Sequence, residues 1–178
     1  MKHNRALLLV LGSIVAAFAY GAPARADIGI GGGALIGTGT NVGGIAENNP
    51  YKLQLGGYGE LDLGNIMLGI RGTRSVGSDP APCPSGTKCV DVDDLRTLGG
   101  DFGYIWHLPL LHFGPRLGIG YLNERDGSSR VGAYFEPGAS LDIKLLLFNV
   151  GGEIRYRFVA GADDVDGFLA YLRLGLRL

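Results

Sequence analysis

The stretch Phe148-Asn149-Val150-Gly151-Gly152-Glu153-Ile154-Arg155-Tyr156-Arg157-Phe158 decides how this chain folds. Phe148, Val150, Gly152, Ile154, Tyr156 and Phe158 take one parity; Asn149, Glu153, Arg155 and Arg157 take the other. A period of two marks a strand, because successive side chains leave it on opposite faces. The same division recurs in segments at about 27–38, 51–64, 65–75, 94–107, 110–123, 130–145, 147–160 and 167–178, which predicts eight strands. In the second, Leu53, Leu55, Gly57, Gly59, Leu61 and Leu63 oppose Gln54, Gly56, Tyr58, Glu60 and Asp62. In the sixth, Val131, Ala133, Phe135, Pro137, Ala139, Leu141 and Ile143 oppose Tyr134, Glu136, Gly138, Ser140, Asp142 and Lys144. Each segment is expected to keep one face free of charge.

Alternation does not say which face points inward. A soluble lipocalin-like barrel or a sandwich alternates too, with its apolar face inside. Three features favour the reverse, a membrane barrel. Connections after the second, fourth and sixth strands are very short, at Gly64-Asn65, Leu108-Pro109 and Leu146, whereas the others are longer and more polar. Short turns at one end and long loops at the other are the outer-membrane pattern. The short turns are also greasy, as in Leu145-Leu146-Leu147-Phe148, which suits a bilayer boundary better than water. Trp106, Phe113 and Phe148 fall near the turn end, and Tyr121, Phe158 and Phe168 near the loop end. Eight steps of ~3.3 Å from Phe113 to Tyr121, tilted by ~40°, give roughly 20 Å, close to the ~25 Å apolar band between aromatic girdles.

The last segment, Phe168-Leu169-Ala170-Tyr171-Leu172-Arg173-Leu174-Gly175-Leu176-Arg177-Leu178, resembles the C-terminal assembly signal of small outer-membrane barrels of the OmpA membrane domain and OmpX type. It departs at its final position, where that class usually has Phe or Trp and this chain has Leu178. The resemblance spans the whole region after the leader and is architectural. It implies an all-β fold, a closed antiparallel up-and-down transmembrane barrel of eight strands, inserted by the barrel-assembly machinery. Pro115 and Pro137 each remove a ladder donor from such a wall and predict bulges.

In that arrangement the charged face lines the lumen. Glu60, Asp62, Asp101, Glu136, Asp142 and Glu153 meet Arg71, Arg116, Lys144, Arg155, Arg157, Arg173 and Arg177 there, a nearly neutral set. Eight strands enclose only enough space for side chains to fill, and buried charge is tolerable when paired. A plugged ionic core is expected ahead of a narrow ion path. Glycines on the same face, such as Gly56, Gly69, Gly103, Gly118, Gly120 and Gly138, leave room for long side chains.

The ends and the composition agree with export. Lys2 and Arg5 precede an apolar run at 6–18, and Ala24-Arg25-Ala26 offers a small-x-small cleavage site, so residues 1–26 read as a cleaved secretory signal and 27–178 as the barrel domain. The leader holds three of the 16 Lys and Arg and none of the 17 Asp and Glu, leaving 152 residues of net charge −4. Mild acidity gives no reason to expect nucleic acid. Glycine, 32 of 178 residues, exceeds the usual ~7% without a three-residue period, which fits a strongly curved sheet rather than collagen. Cys83 and Cys89, six positions apart in an exported chain, predict a disulfide stapling one long loop.

No catalytic constellation stands out. His3 leaves with the leader, and His107 and His112 flank a turn at the periplasmic end, away from outer-leaflet acyl chemistry. No carboxylate or Cys accompanies them at metal-ligand spacing. Asp163-Asp164-Val165-Asp166-Gly167 lacks the acid at Ala162 and the Glu at Arg173 that an EF-hand loop requires, and Asp91-Val92-Asp93-Asp94 is similarly short. Neither cofactor nor metal is expected. The sequence therefore predicts a monomeric, non-enzymatic outer-membrane barrel, its termini periplasmic and long loops outside, in contact with outer-membrane lipid and lipopolysaccharide, with a structural or surface-interaction role. The alternatives are a narrow channel for ions or small solutes, a lipid-modifying enzyme, and a soluble periplasmic lipocalin-like carrier.

Overall fold

The computed structural model describes residues 28–42, 51–76, 95–124, 132–160 and 166–178. The leader at 1–26, the Cys83–Cys89 staple and the acidic loop residues 91–94 and 163–165 lie outside the described residues.

The described strands are β1 (Ile28–Asn41), β2 (Gln54–Leu63), β3 (Ile66–Ser75), β4 (Leu95–Tyr104), β5 (Trp106–His107), β6 (Leu111–Glu124), β7 (Gly132–Leu145), β8 (Phe148–Val159) and β9 (Gly167–Arg177). All pair antiparallel, neighbour to neighbour. The first and last strands then close the sheet, from Gly31↔Arg177 to Asn41↔Gly167. Two further bonds lock this seam, Ile30 N–H to the Leu178 carbonyl at 3.1 Å and Leu178 N–H to the Ile30 carbonyl at 2.8 Å. β5 continues β4 past Ile105, so the wall has eight staves. Closure leaves no open edge, the condition for crossing lipid with strands.

The break at Ile105 and the prolines share one explanation, which corrects the expectation of bulges. Gly103↔Arg116 and Trp106↔Phe113 belong to one register, so no residue has been inserted beside Pro115. β6 and β7 also keep one register through Leu117↔Pro137. The ladder only skips: Tyr104 and Ile105 go unpaired across from Pro115, and Glu136 and Pro137 across from β8. Each proline points its missing donor at one neighbour and pairs normally with the other. On its other side the strand is undisturbed: the Ile105 N–H donates to the Asn65 carbonyl at 2.7 Å, one step beyond Ile66↔Tyr104 in the β3–β4 register.

Polarity is reversed relative to a soluble barrel. Ile30, Ile70, Leu98, Ile119, Leu141, Ile154 and Leu174 are exposed on the outer wall, while Glu60, Asp101, Glu136, Glu153, Arg71 and Arg155 are buried inside. In water such a wall would be an enormous apolar patch; against hydrocarbon it is the favourable surface. One expectation needs correction here. Arg74 and Arg96 fall on the outward parity of β3 and β4, both exposed, so those two staves are not free of charge outside. At the turn end the hairpins Leu63↔Ile66 and Leu145↔Phe148 are two-residue turns whose first positions, Gly64 and Leu146, have φ of 65° and 57°. Aromatic rings mark both ends of the wall. Trp106 lies 5.4 Å from Phe113 at the turn end, and Tyr156 lies 4.5 Å from Phe158 and 4.6 Å from Phe168 at the loop end.

Candidate functional site

The lumen is built by register. Across each seam a large inward side chain faces glycine: Arg71↔Gly99, Asp101↔Gly118, Arg116↔Gly138 and Arg155↔Gly138. Arg157↔Gly167, Arg173↔Gly151, Tyr171↔Gly37 and Tyr134↔Gly120 continue the series. The vacancy beside each glycine is occupied. A Cβ on Gly118 would stand 2.8 Å from Arg155 Nη1 and 3.0 Å from Asp101 Oδ1, and one on Gly37 would stand 2.3 Å from the Tyr171 ring. Alternating large and small positions is how a small barrel fills its own interior.

Glu153 is the hub of the ionic layer. Its Oε1 lies 2.8 Å from Arg71 Nη1 and accepts from Arg155 Nε at 3.2 Å. Its Oε2 accepts from Arg155 Nη2 at 3.2 Å and Arg173 Nη1 at 3.1 Å. Arg155 also clamps Asp101 through two parallel bonds of 2.8 Å, the planar fork that suits a carboxylate best. Arg157 donates to Glu136, whose other oxygen lies 3.7 Å from Arg71 and 3.8 Å from Arg155. Lower down, Glu60 accepts from both Arg116 and Arg173. Arg173 Nε lies 3.2 Å from Asp142, and Arg116 Nε donates to the Ser140 hydroxyl at 2.6 Å. Asp62 and Arg177 pair at the turn end, where Arg177 also reaches His112 Nδ1 at 2.8 Å.

Five carboxylates and five arginines therefore meet in one connected set, and Asp62 and Arg177 form a separate pair at the turn end. Lys144, half-buried at the turn end, makes no ion pair with a described residue and stands outside it. The other anticipated lumen residues are all ion-paired: Glu60, Arg71, Asp101, Arg116, Glu136, Asp142, Glu153, Arg155, Arg157 and Arg173 within the set, and Asp62 and Arg177 with each other. Five of the arginines are 4% exposed or less, which makes them packing as well as charge.

Above this layer, toward the loops, the lumen turns apolar. Leu35, Tyr51, Leu95, Leu122, Tyr134, Val159, Leu169 and Tyr171 form one buried cluster. The two layers are joined by cations on ring faces: Arg157 sits 5.2 Å from the Tyr51 centroid and 5.1 Å from that of Tyr134, and Arg71 4.6 Å from Tyr171. Sequence reasoning missed this cap. Its residues occupy the same inward parity as the charges, and the signal available in the sequence is that the inward residues nearest the long loops are Leu35, Leu95, Leu122, Val159 and Leu169.

His107 and His112 pack edge to face, 4.5 Å between centroids, with His107 Nε2 2.9 Å from the Gly64 carbonyl oxygen, and among the described residues no group of three metal-ligating side chains forms. A scan against protein-family models matches none, and no curated protein matches the sequence. Among solved structures, the chain is similar to the N-terminal β-barrel domain of Pseudomonas aeruginosa OprF, at 13% identity over 87% of this chain and 99% of that one, with a TM-score of 0.60. It is also similar to Neisserial surface protein A, NspA, at 14% identity over 88% and 99%, with a TM-score of 0.50. At such identities the likeness is one of architecture, and the chain has the fold of the eight-stranded outer-membrane β-barrels.

Proposed function

We propose that this chain is an exported, monomeric, non-enzymatic protein of the outer membrane, with a structural or surface-interaction role carried by its long loops. The carrying observation is the filled lumen: six carboxylates and six arginines are ion-paired across the axis beneath an apolar cap. Charge arranged in this way holds a wall together, and an ion would have to break several desolvated pairs to pass. The exposed apolar wall and the shared fold support the membrane location, with the termini at the periplasmic turn end and the loops outside. The distance of His107 and His112 from the loop end supports the non-enzymatic reading.

Conductance of the purified protein in a planar bilayer tests the plug. Wild type is expected to be electrically silent. Steady unitary currents would overturn this reading in favour of a narrow channel. Cell fractionation tests location: recovery with outer membranes, and not in the detergent-free periplasmic extract, is the expected outcome.

A further inference from the structure

The ionic core bypasses one stave. Its paired side chains stand on β2, β3, β4, β6, β7, β8 and β9, whereas β1, Ile28–Asn41, carries no charged residue. Where β1 faces the ionic layer it is glycine. Gly31 stands between Glu60 of β2 and Arg177 of β9, and Gly33 between Tyr58 and Gly175. Side chains of the two flanking staves meet over these glycines. Arg173 of β9 donates to Glu60 and lies 4.3 Å from the centre of the Tyr58 ring, and Arg177 pairs with Asp62. A Cβ on Gly29 would stand 3.5 Å from both Arg177 Nε and Asp62 Oδ2, so that pair crosses directly above it.

β1 is held in other ways. Two backbone ladders run from Ile28↔Leu63 to Gly37↔Gln54 and from Gly31↔Arg177 to Asn41↔Gly167. Ile28, Ile30 and Ile36 are exposed on the outer wall, and Leu35 joins the apolar cap. Main-chain bonds are indifferent to which strand supplies them, and specificity comes from side chains at alternate positions. Here the inward positions ask for smallness. A Cβ on Gly33 would collide with the Leu174 carbonyl oxygen, and one on Gly37 with the Tyr171 ring. Two bare strand edges, those of β2 and β9, would be prohibitive in lipid, so β1 cannot simply leave. Another strand can replace it.

We propose that the place of β1, between β2 and β9, is a strand-binding site. It accepts a second neutral, extended segment with glycine at the inward positions and aliphatic side chains outside. This goes beyond the structural or surface-interaction role above and defines the kind of partner that the wall itself fits. β2 and β9 stay tied through Glu60–Arg173 and Asp62–Arg177 during the exchange, which keeps the site in shape. The place of β9 offers no such site, because Arg173 and Arg177 leave with the strand.

The test uses the full chain, folded in detergent micelles, with a protease site inserted between residues 46 and 47. After cutting, the barrel is incubated in sub-denaturing urea with a fluorescent peptide of residues 28–42 and weighed by native mass spectrometry. The peptide is expected to replace the resident strand. The same peptide carrying Gly33→Leu should be taken up at least tenfold less. In a barrel cut between residues 163 and 164, a peptide of residues 166–178 should replace β9 at least tenfold more slowly. No uptake of the first peptide by a cut barrel that heat-modifiable gel migration shows to be folded would overturn the proposal. So would equal uptake of the Gly33→Leu peptide, or equal rates for β1 and β9. A barrel that unfolds when cut beside β1 would overturn it too, because the other seven staves would then need β1 as a tether.

Discussion

The two faces of β8 obey opposite rules within one strand. Ile154 is 67% exposed on the outside, and its neighbours Glu153 and Arg155 are 4% and 2% exposed inside. Outside, a side chain faces a fluid that conforms to almost any apolar shape, so identity matters little and polarity matters a great deal. Inside, each side chain faces a fixed partner at a fixed height, so polarity is tolerated and identity is decisive. The outer wall is thus specified by composition, and the lumen by pairing.

The largest effect should come from breaking the hub. Glu153→Gln removes the anion that serves Arg71, Arg155 and Arg173. Arg155 keeps Asp101 and Arg173 keeps Glu60, but Arg71 is left with Glu136 at 3.7 Å. An uncompensated buried charge costs about 3–5 kcal/mol. Urea titration of the barrel in lipid vesicles, followed through the single tryptophan, should lose about that much. Adding Arg71→Met should recover a substantial part, since removing both members of a buried pair is far cheaper than removing one. No recovery would mean that Glu153 acts as shape and not as charge, and the contrast between the faces would lose its electrostatic half.

A smaller effect separates the two faces sterically. Gly118→Ala places a methyl against the Arg155–Asp101 clamp, whereas Gly152→Ala on the outer wall meets only the Tyr171 carbonyl oxygen at 3.6 Å. Overpacking a filled interior costs about 1–3 kcal/mol. The outer substitution should stay within about 0.5 kcal/mol in the same titration. Equal losses would show that the outer glycines are as constrained as the inner ones.

This difference also explains what could be read without coordinates. Parity is local: Phe148 to Phe158 shows both faces, and the same reading places Glu60, Asp142 and Arg173 correctly inside. The greasy turn at Leu146 and the long loops opposite it indicate which way the barrel is turned. Height and partnership are not local. That Arg173 meets Glu60, 113 positions away, or that Tyr171 lies beside Gly37, depends on stagger between staves, to which a period of two is blind. For the same reason the apolar cap is not legible in the sequence, since Leu35 and Leu169 are far apart along the chain and share parity with arginines. Arg74 and Arg96 do not stand out in the sequence, because each ends an otherwise apolar face, and only the ladder shows them to be opposite one another. Pro115 and Pro137 suggest bulges on general grounds, and only the register shows that the sheet skips instead.

The smallest effect sharpens the comparison at the point where both faces end. Leu146 is 91% exposed and holds φ at 57°, so its conformation is imposed by the two-residue turn and its side chain packs on neither face. A left-handed conformation costs an L-residue roughly 1–2 kcal/mol, and glycine escapes that cost while giving up about 0.5–1 kcal/mol of chain entropy. Leu146→Gly should therefore stabilise the barrel by about 0.5 kcal/mol, provided that lipid is indifferent to the leucine. Leu146→Ala keeps the strain and removes the isobutyl group, so it should be neutral on the same condition. If both variants are destabilised alike in vesicles, the leucine is seated in the bilayer boundary. The outer face then extends through the turn, and the rule that polarity alone governs that face reaches the end of the chain's hairpins.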